Sequence, residues 1–284
     1  MTDALRHHWP EYLIEAAGLG LFMISAFTFG ALLEHPASPV HQAIADPVAR
    51  RFLMGLAMGS TAVGIVYSPW GKQSGAHINP SVTLTFLRLG KVSSWDALCY
   101  VVFQFAGGLL GALAAAFALA AWVSHPAVNY VVTTPGHFGA FVAFIAEIFI
   151  TFISMTVILY VSNARKFHKL TGLCSGMLVA TYITFEAPIS GMSMNPARTL
   201  ASAVPAHYWV ALWIYFTAPL IGMLTAAEVY LRIAGARSVA CAKLHHENDK
   251  RCIFCGKPAA SSAQNVRKSA SPSEITTAPP ATQK

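Results

Sequence analysis

The chain has 284 residues, 55% of them hydrophobic and only 11% charged, whereas a soluble domain carries about a quarter charged residues. That deficit excludes an ordinary soluble enzyme or binding domain and selects a polytopic membrane protein. The net charge of +7 does not point to nucleic acid, because the basic residues fall in short loops and a tail, the distribution of a topological signal. The five cysteines do not make an extracellular disulfide framework: Cys99 and Cys174 lie inside apolar stretches, and the other three cluster in the tail. No cleavable signal peptide is evident, since the first apolar run is long and lacks a clear small-residue cleavage site after it.

A bilayer crossing needs about 20 mainly apolar residues. After residues 1–10, the first such span is predicted over Tyr12 to Leu33, interrupted by Glu15, and the second over Phe52 to Tyr67, broken by Ser68-Pro69. A short helix ending near Leu89 follows. The third span covers Trp95 to Val123, with Gln104 and a Gly107-Gly108-x-x-Gly111 face, and residues 124–138 form a linker with Pro126, Pro135 and Gly136. The pattern then restarts. Phe138 to Val161 carries Glu147 where the first span carries Glu15; Leu170 to Phe185 and Tyr208 to Leu231 complete the set. The organisation is a first repeat (11–123), a linker, a second repeat (139–232) and a tail (233–284).

The repeat is written most plainly in one phrase. Ser74-Gly75-Ala76-His77-Ile78-Asn79-Pro80-Ser81-Val82-Thr83-Leu84 recurs as Ser190-Gly191-Met192-Ser193-Met194-Asn195-Pro196-Ala197-Arg198-Thr199-Leu200, identical at six of eleven positions. Asn is a good N-cap and Pro fits the first helical position, so each copy starts a helix, too short to cross a membrane. Three spans per repeat is an odd number, so the second copy enters the membrane inverted and the two half-helices face each other at the midplane. Lys72, Arg88, Lys91, Arg165, Lys166, Lys169, Arg232 and Arg237 then share one side, against Arg50 and Arg51 on the other, which places both termini in the cytoplasm. Gly55-x-x-x-Gly59 and Gly172-x-x-x-Gly176 predict a close crossing of the second and fifth spans.

These features resemble the aquaporin (major intrinsic protein) family over residues 10–232. The resemblance rests on Asn79-Pro80-Ser81 and Asn195-Pro196-Ala197, on Arg198 directly after the second box, and on Glu15, Glu147 and Gln104. It implies an all-α membrane protein of six transmembrane helices and two re-entrant half-helices in an inverted repeat. It further implies a passive channel in the cell's plasma (inner) membrane, for water or small neutral solutes, assembled as a homotetramer and needing no cofactor. Two helix N-termini aimed at one point make a positive patch, and the amides of Asn79 and Asn195 can donate to a passing water oxygen; as in aquaporins generally, this interrupts a proton wire and repels cations. The resemblance places Arg198 in a narrow outer filter, with Ile183, Met192 and Met54 as its other walls and Met58 as the alternative on the second span. Thr199 stands where glycerol-conducting members usually have Asp, and Tyr215-Phe216 before Pro219 resembles the aromatic pair of water-type members. Both favour water, while the apolar filter favours other neutral solutes as well. His77 reads equally as a vestibule residue and as a structural histidine. The resemblance implies that Glu15 and Glu147 bond the backbone of the re-entrant loops; intramembrane carboxylates by themselves also read as proton-relay acids.

The tail is a separate matter. Cys241, His245, Cys252 and Cys255, with His246 beside them, have metal-ligand spacing and suggest zinc; a loose thiol pair or a palmitoylation site are the other readings. From Lys257 onward Ser, Ala, Pro and Thr dominate, the composition of a disordered end. Two rival functions remain open at this level: an ion-coupled transporter using Glu15, Glu147 or Glu228, and a membrane scaffold or metal sensor acting through the tail.

Overall fold

The computed structural model describes residues 2–235 and 238–260. Arg237 and residues 261–284, most of the stretch expected to be disordered, lie outside the described residues. Lys257 to Ala260, at the start of that stretch, are instead tied back: the Cys252 amide donates to the Lys257 carbonyl at 2.8 Å and the Ala260 amide to the Asp249 carbonyl at 3.0 Å.

The described residues contain helices and no strands. In chain order they are α1 (Thr2–Glu34), α2 (Pro39–Ala43), α3 (Pro47–Tyr67), α4 (Pro69–Ser74), α5 (Pro80–Arg88), α6 (Ser94–Leu119) and α7 (Ala121–Ser124). The second half follows with α8 (Gly139–Asn163), α9 (Thr171–Phe185), α10 (Ala187–Ser190), α11 (Pro196–Ala206) and α12 (Leu212–Ala234). By length and composition, α1, α6, α8 and α12 are apolar enough to cross a membrane. The helices α3 and α9 complete the six; α9, with 15 residues, is about 22 Å long and is continued by α10. The half-helices are α5 and α11.

Local chemistry explains the helix starts. Pro47 follows the cap Asp46, which accepts from the Val48 amide at 2.9 Å. Ser93 caps α6 by accepting from the Asp96 amide, and its own hydroxyl donates to the Asp96 carboxylate at 2.8 Å, which satisfies one of the helix's first free N–H groups. One helix end departs from the pattern in the sequence. The third span, expected to run to Val123, stops at Leu119, where Ala120 turns to φ 39°. No Gly or Pro marks that stop. The turn buries Val123 against Phe27, Val128 and their neighbours, so tertiary packing ends this helix.

The packing repeats itself about a pseudo-twofold axis. In the first half α1 pairs with α6, and in the second α8 pairs with α12; α11 packs on α6 as α5 packs on α12. The helices α3 and α9, equivalent in the two repeats, pack on each other. Their crossing is the close one predicted from the glycines: a Cβ on Gly59 would lie 2.5 Å from the Gly176 carbonyl oxygen, and one on Gly176 2.7 Å from that of Gly59. Large apolar side chains cover the outside, Phe117 being 90% exposed, with Phe141 and Phe149 also bare, the surface of a body solvated by lipid. All six tryptophans are exposed, in two groups. Trp9, Trp70 and Trp95 lie at the end of the body that holds the N-terminus, and Trp122, Trp209 and Trp213 at the other, as interfacial aromatic belts do.

Because the α3–α9 backbones touch at this crossing, Gly59→Val should destabilise the detergent-solubilised protein by about 1–3 kcal/mol through overpacking. Gly64→Ala, where an added Cβ meets nothing within 4 Å, should leave the thermal midpoint unchanged or raised. Equal midpoints for Gly59→Val and the parent would contradict the crossing.

Candidate functional site

Each Asn-Pro box opens its half-helix for a local reason. Asn79 and Asn195 are extended, with φ −154° and −149°, and each caps its own helix. The Asn79 amide oxygen accepts from the Ser81 N–H at 2.9 Å; that of Asn195 accepts from the Ala197 and Arg198 N–H groups at 3.0 and 3.2 Å. Pro80 and Pro196 fill the first helical positions, where no N–H is needed. With the oxygens engaged, the amide nitrogens point across the repeat boundary. Asn79 Nδ2 donates to the Met194 carbonyl and Asn195 Nδ2 to the Ile78 carbonyl, both at 2.8 Å. Each amide nitrogen carries two N–H groups, so one remains for the cavity that both residues line.

The turns before the boxes hold an unusual backbone. Gly75 and Gly191 have φ 105° and 85°, and Ala76, Ile78, Met192 and Met194 also have positive φ, between 40° and 58°. The same positions are left-handed in both repeats. For non-glycine residues this costs about 1–3 kcal/mol each and persists only when the surroundings impose it. The two buried carboxylates impose it. Glu15 accepts from the Ser74 hydroxyl at 2.7 Å, from the His77 and Ile78 amides at 3.1 and 2.6 Å, and from Gln104 Nε2 at 2.8 Å. Glu147 accepts from the Ser190 hydroxyl at 2.9 Å and from the Ser193 and Met194 amides at 2.6 and 2.8 Å. Tyr100 and Tyr215 complete the clasp by donating to the Ser74 and Ser190 carbonyls at 2.8 and 2.5 Å.

Between the repeats lies a cavity of about 660 Å³ that reaches from Glu34 and Arg51 at one end, past both asparagines, to His77 and Leu244 at the other. Met54, Met58, Ile183, Met192 and Arg198 all line it, so both second-helix filter candidates reach the same space. Met58 is buried and held by the Ser25 hydroxyl at 3.8 Å from its sulfur. Arg198 donates to the Thr133 hydroxyl. Thr133 belongs to the linker, and with Val131, Val132 and Thr134 it brings that linker to the cavity; sequence reasoning passed these residues over because nothing in the 124–138 stretch marks them as more than a connection. Neither member of the aromatic pair used as a solute marker lines the cavity. Tyr215 clasps Ser190, and Phe216 stacks on Phe105 with ring centres 6.0 Å apart. A further buried carboxylate, Glu186, ends α9 with neither oxygen bonded among the described residues, and it lies outside the cavity wall.

His77 combines its two readings. It lines the cavity and is itself buried, bonded through Nδ1 to Thr83 Oγ1 at 3.0 Å and through Nε2 to the Ala242 carbonyl at 2.8 Å. Ala242 belongs to the tail, which is folded against this mouth. Lys243 is buried there, its ammonium donating to the Lys72 carbonyl at 2.9 Å and to the Arg251 carbonyl at 2.5 Å, and burial pulls its pKa below the ordinary lysine value. The tail's candidate ligands need one correction. The atoms that gather, all within 4.8 Å of one another, belong to Cys241, His246, Cys252 and Cys255. His245 is not among them: its ring packs edge-on against Tyr67, 5.3 Å away, while the adjacent His246 turns Nε2 toward Cys255 Sγ at 3.8 Å. The two histidines are adjacent, so either falls within metal-ligand spacing of the cysteines, and the docking of the tail on α3 separates them.

Two three-helix repeats in inverted order, with half-helices meeting head to head on a central cavity, define the class of protein. The sequence profile of the major intrinsic proteins matches residues 6–230, and the chain belongs to that family. It is 41% identical over 178 residues to aquaporin NIP2-2 of Zea mays, an alignment covering 62% of this chain and 58% of the maize protein. It is 32% identical over 209 residues to a probable NIP-type aquaporin of Nicotiana alata, covering 66% of this chain and 75% of that one. The chain thus spans about three fifths of the length of the maize relative. Its fold is similar to the X-ray structure of the aquaglyceroporin from Plasmodium falciparum, with a TM-score of 0.65 at 20% identity, over 79% of this chain and 96% of that one.

Replacing Glu147 by Leu leaves a hydroxyl and two amides without their acceptor, at about 1–3 kcal/mol for each buried donor. The expected result is loss of a monodisperse, thermally stable species in detergent, with Glu147→Gln intermediate because one oxygen acceptor remains. A Glu147→Leu protein melting like the parent would show that the clasp does not hold the turn.

Proposed function

We propose that the chain is a passive channel for water and small neutral solutes that excludes protons and ions, with no enzymatic step and no cofactor in transport. The observation that carries this reading is the pair of asparagine amides, each locked by its own helix cap and bonded across the repeat boundary, on the wall of one cavity. The N-termini of α5 and α11 each contribute roughly half a positive charge at that place. A water reaching it is met by donors, so its oxygen faces the asparagines and its hydrogens face away. Neighbouring waters on the two sides are then oriented oppositely, and no continuous hydrogen-bonded wire passes the midplane, the arrangement general to aquaporin-type pores.

Arg198 supplies the second barrier. It follows the second box directly, where the first repeat has Val82, so the positive charge stands in one half of the cavity only. With Met54, Ile183 and Met192 as the remaining walls, the filter has one cationic donor and three apolar faces. Flexible methionines accept a range of shapes, which fits small neutral solutes alongside water. Coupling to an ion gradient finds no support in the three carboxylates named for it: Glu15 and Glu147 are consumed by the re-entrant turns, and Glu228 pairs with Arg88 at 2.7 Å. The excess of Lys and Arg in the loops on the tail's side supports cytoplasmic termini, and the plasma (inner) membrane location follows the family resemblance. A homotetramer with one pore per subunit follows the family.

Stopped-flow light scattering on proteoliposomes under an osmotic gradient tests the reading. Water permeability several-fold above empty liposomes with a low activation energy is expected, together with no proton leak. Arg198→Val makes the two repeats alike at this position and should admit larger neutral solutes or ions while the protein stays folded. An unaltered solute profile in Arg198→Val would remove the residue from the filter.

A further inference from the structure

We propose that Cys241, His246, Cys252 and Cys255 bind one divalent cation of the zinc class, and that the segment so organised narrows the tail-side mouth of the cavity. The narrowing rests on the channel reading; the metal site does not. The segment lies beyond residue 230, outside the stretch matched by the family profile, so the channel architecture does not account for it.

The four ligand atoms lie within 4.8 Å of one another, and two of their separations match the edges of a tetrahedral thiolate site. For zinc with Zn–S near 2.3 Å and Zn–N near 2.0–2.1 Å, neighbouring sulfurs stand about 3.8 Å apart and a sulfur–nitrogen edge is about 3.6 Å. Cys241 Sγ and Cys252 Sγ are 3.5 Å apart, and Cys255 Sγ is 3.8 Å from His246 Nε2. A set of three thiolates and one imidazole selects zinc over hard cations such as magnesium or calcium. Three thiolates and a divalent ion leave one negative charge on the site. There is also a folding reason for a staple. Residues 238–260 contain no long helix among the described residues, so beyond their packing on the body little local structure holds the two ligand loops together. A Cys241–Cys252 disulfide would engage two of the four groups and leave Cys255 and His246 without a purpose.

One ligand loop brings a residue to the cavity, and the other backs the ring of His77 that lines it. Leu244, between Cys241 and His246, lines the cavity itself and packs with Val82 and Phe86 of the first half-helix. Phe254, inside the Cys252-x-x-Cys255 loop, lies parallel to the His77 ring at 5.5 Å. The main chain joins as well: the Leu244 amide donates to the Gly75 carbonyl at 3.2 Å, and the Ala242 carbonyl accepts from His77 at 2.8 Å. Arg251 anchors the far side by pairing with the buried Glu11 at 2.7 Å. Fixing the four ligands therefore fixes Leu244 and Phe254 over the re-entrant turn, and releasing the metal frees them together.

The test uses the full chain, purified and reconstituted. Elemental analysis should find one zinc per chain in the parent and none in the Cys252→Ser/Cys255→Ser double variant. Osmotic water permeability should rise several-fold on zinc chelation and in the double variant, and also in Phe254→Ala, which keeps all four ligands and its zinc. Trypsin cleavage after the buried Lys243 reads docking independently of conduction and should appear only when zinc is removed. Absence of stoichiometric metal, or metal unaffected by the double substitution, would overturn the site. Equal permeability in the zinc-loaded, chelated and Phe254→Ala states would overturn the narrowing. No permeability in any state would sink the channel reading instead, leaving metal content and trypsin protection to decide whether zinc docks the tail.

Discussion

Everything at the centre of this molecule depends on two buried carboxylates accepting amide hydrogens that have no other partner. Inside a bilayer, backbone groups cannot turn to water, so non-helical chain at membrane depth survives only where protein satisfies it. The turns before Asn79 and Asn195 are such chain, and their left-handed residues would relax if released. Glu15 and Glu147 hold them by bonding consecutive amides, His77 and Ile78 in one repeat and Ser193 and Met194 in the other. That contact aims the two half-helices, and their aim places both asparagine amides on one wall. A carboxylate spent in this way is scaffold, which is why its presence at membrane depth does not imply a proton pathway.

The pseudo-twofold symmetry makes the departures from it informative. Close backbone contact between α3 and α9 at the glycines brings the two halves together, and equivalent bonds recur on both sides of the crossing. The repeats differ at positions that face the cavity or its mouth. Val82 is answered by Arg198, so one half carries a fixed positive charge and the other an apolar wall. His77 is answered by Ser193, and only the histidine reaches beyond its own turn, to the tail. A symmetric scaffold thus carries an asymmetric lining, with the Arg198 guanidinium on one side of the asparagines and a ring that receives the tail on the other.

The tail adds a second layer of organisation. Its residues enter the same hydrophobic cluster as α5, α8 and α12, through Val239, Ala242 and Leu244, so it is packed as part of the body. Its polar anchors reach the N-terminal helix at Glu11, the short helix α4 at Lys72 and the α8–α9 connection at His168. A segment tied to several elements around one mouth is placed to sense their arrangement and to alter access through it.

Much of this was legible without coordinates. The apolar spans, the inverted repeat, the half-helices and the glycine crossing follow from periodicity, capping chemistry and small-residue spacing, which act locally or repeat visibly along the chain, while the clasping role of Glu15 and Glu147 came only with the resemblance to the aquaporin family. The stop at Ala120, the reach of Thr133 to Arg198, the choice of His246 over His245 and the seating of Leu244 and Phe254 were not legible. These depend on contacts between distant residues: Asn79 meets the Met194 carbonyl across 115 positions, and His77 meets Ala242 across 165. Sequence by itself determined which elements exist and which chemistry each carries, because helix caps, turn residues and apolar length are properties of neighbours. Only the tertiary structure decided which side chains share a wall, because a side chain's direction is set by how its backbone is packed against chain that lies far away in sequence.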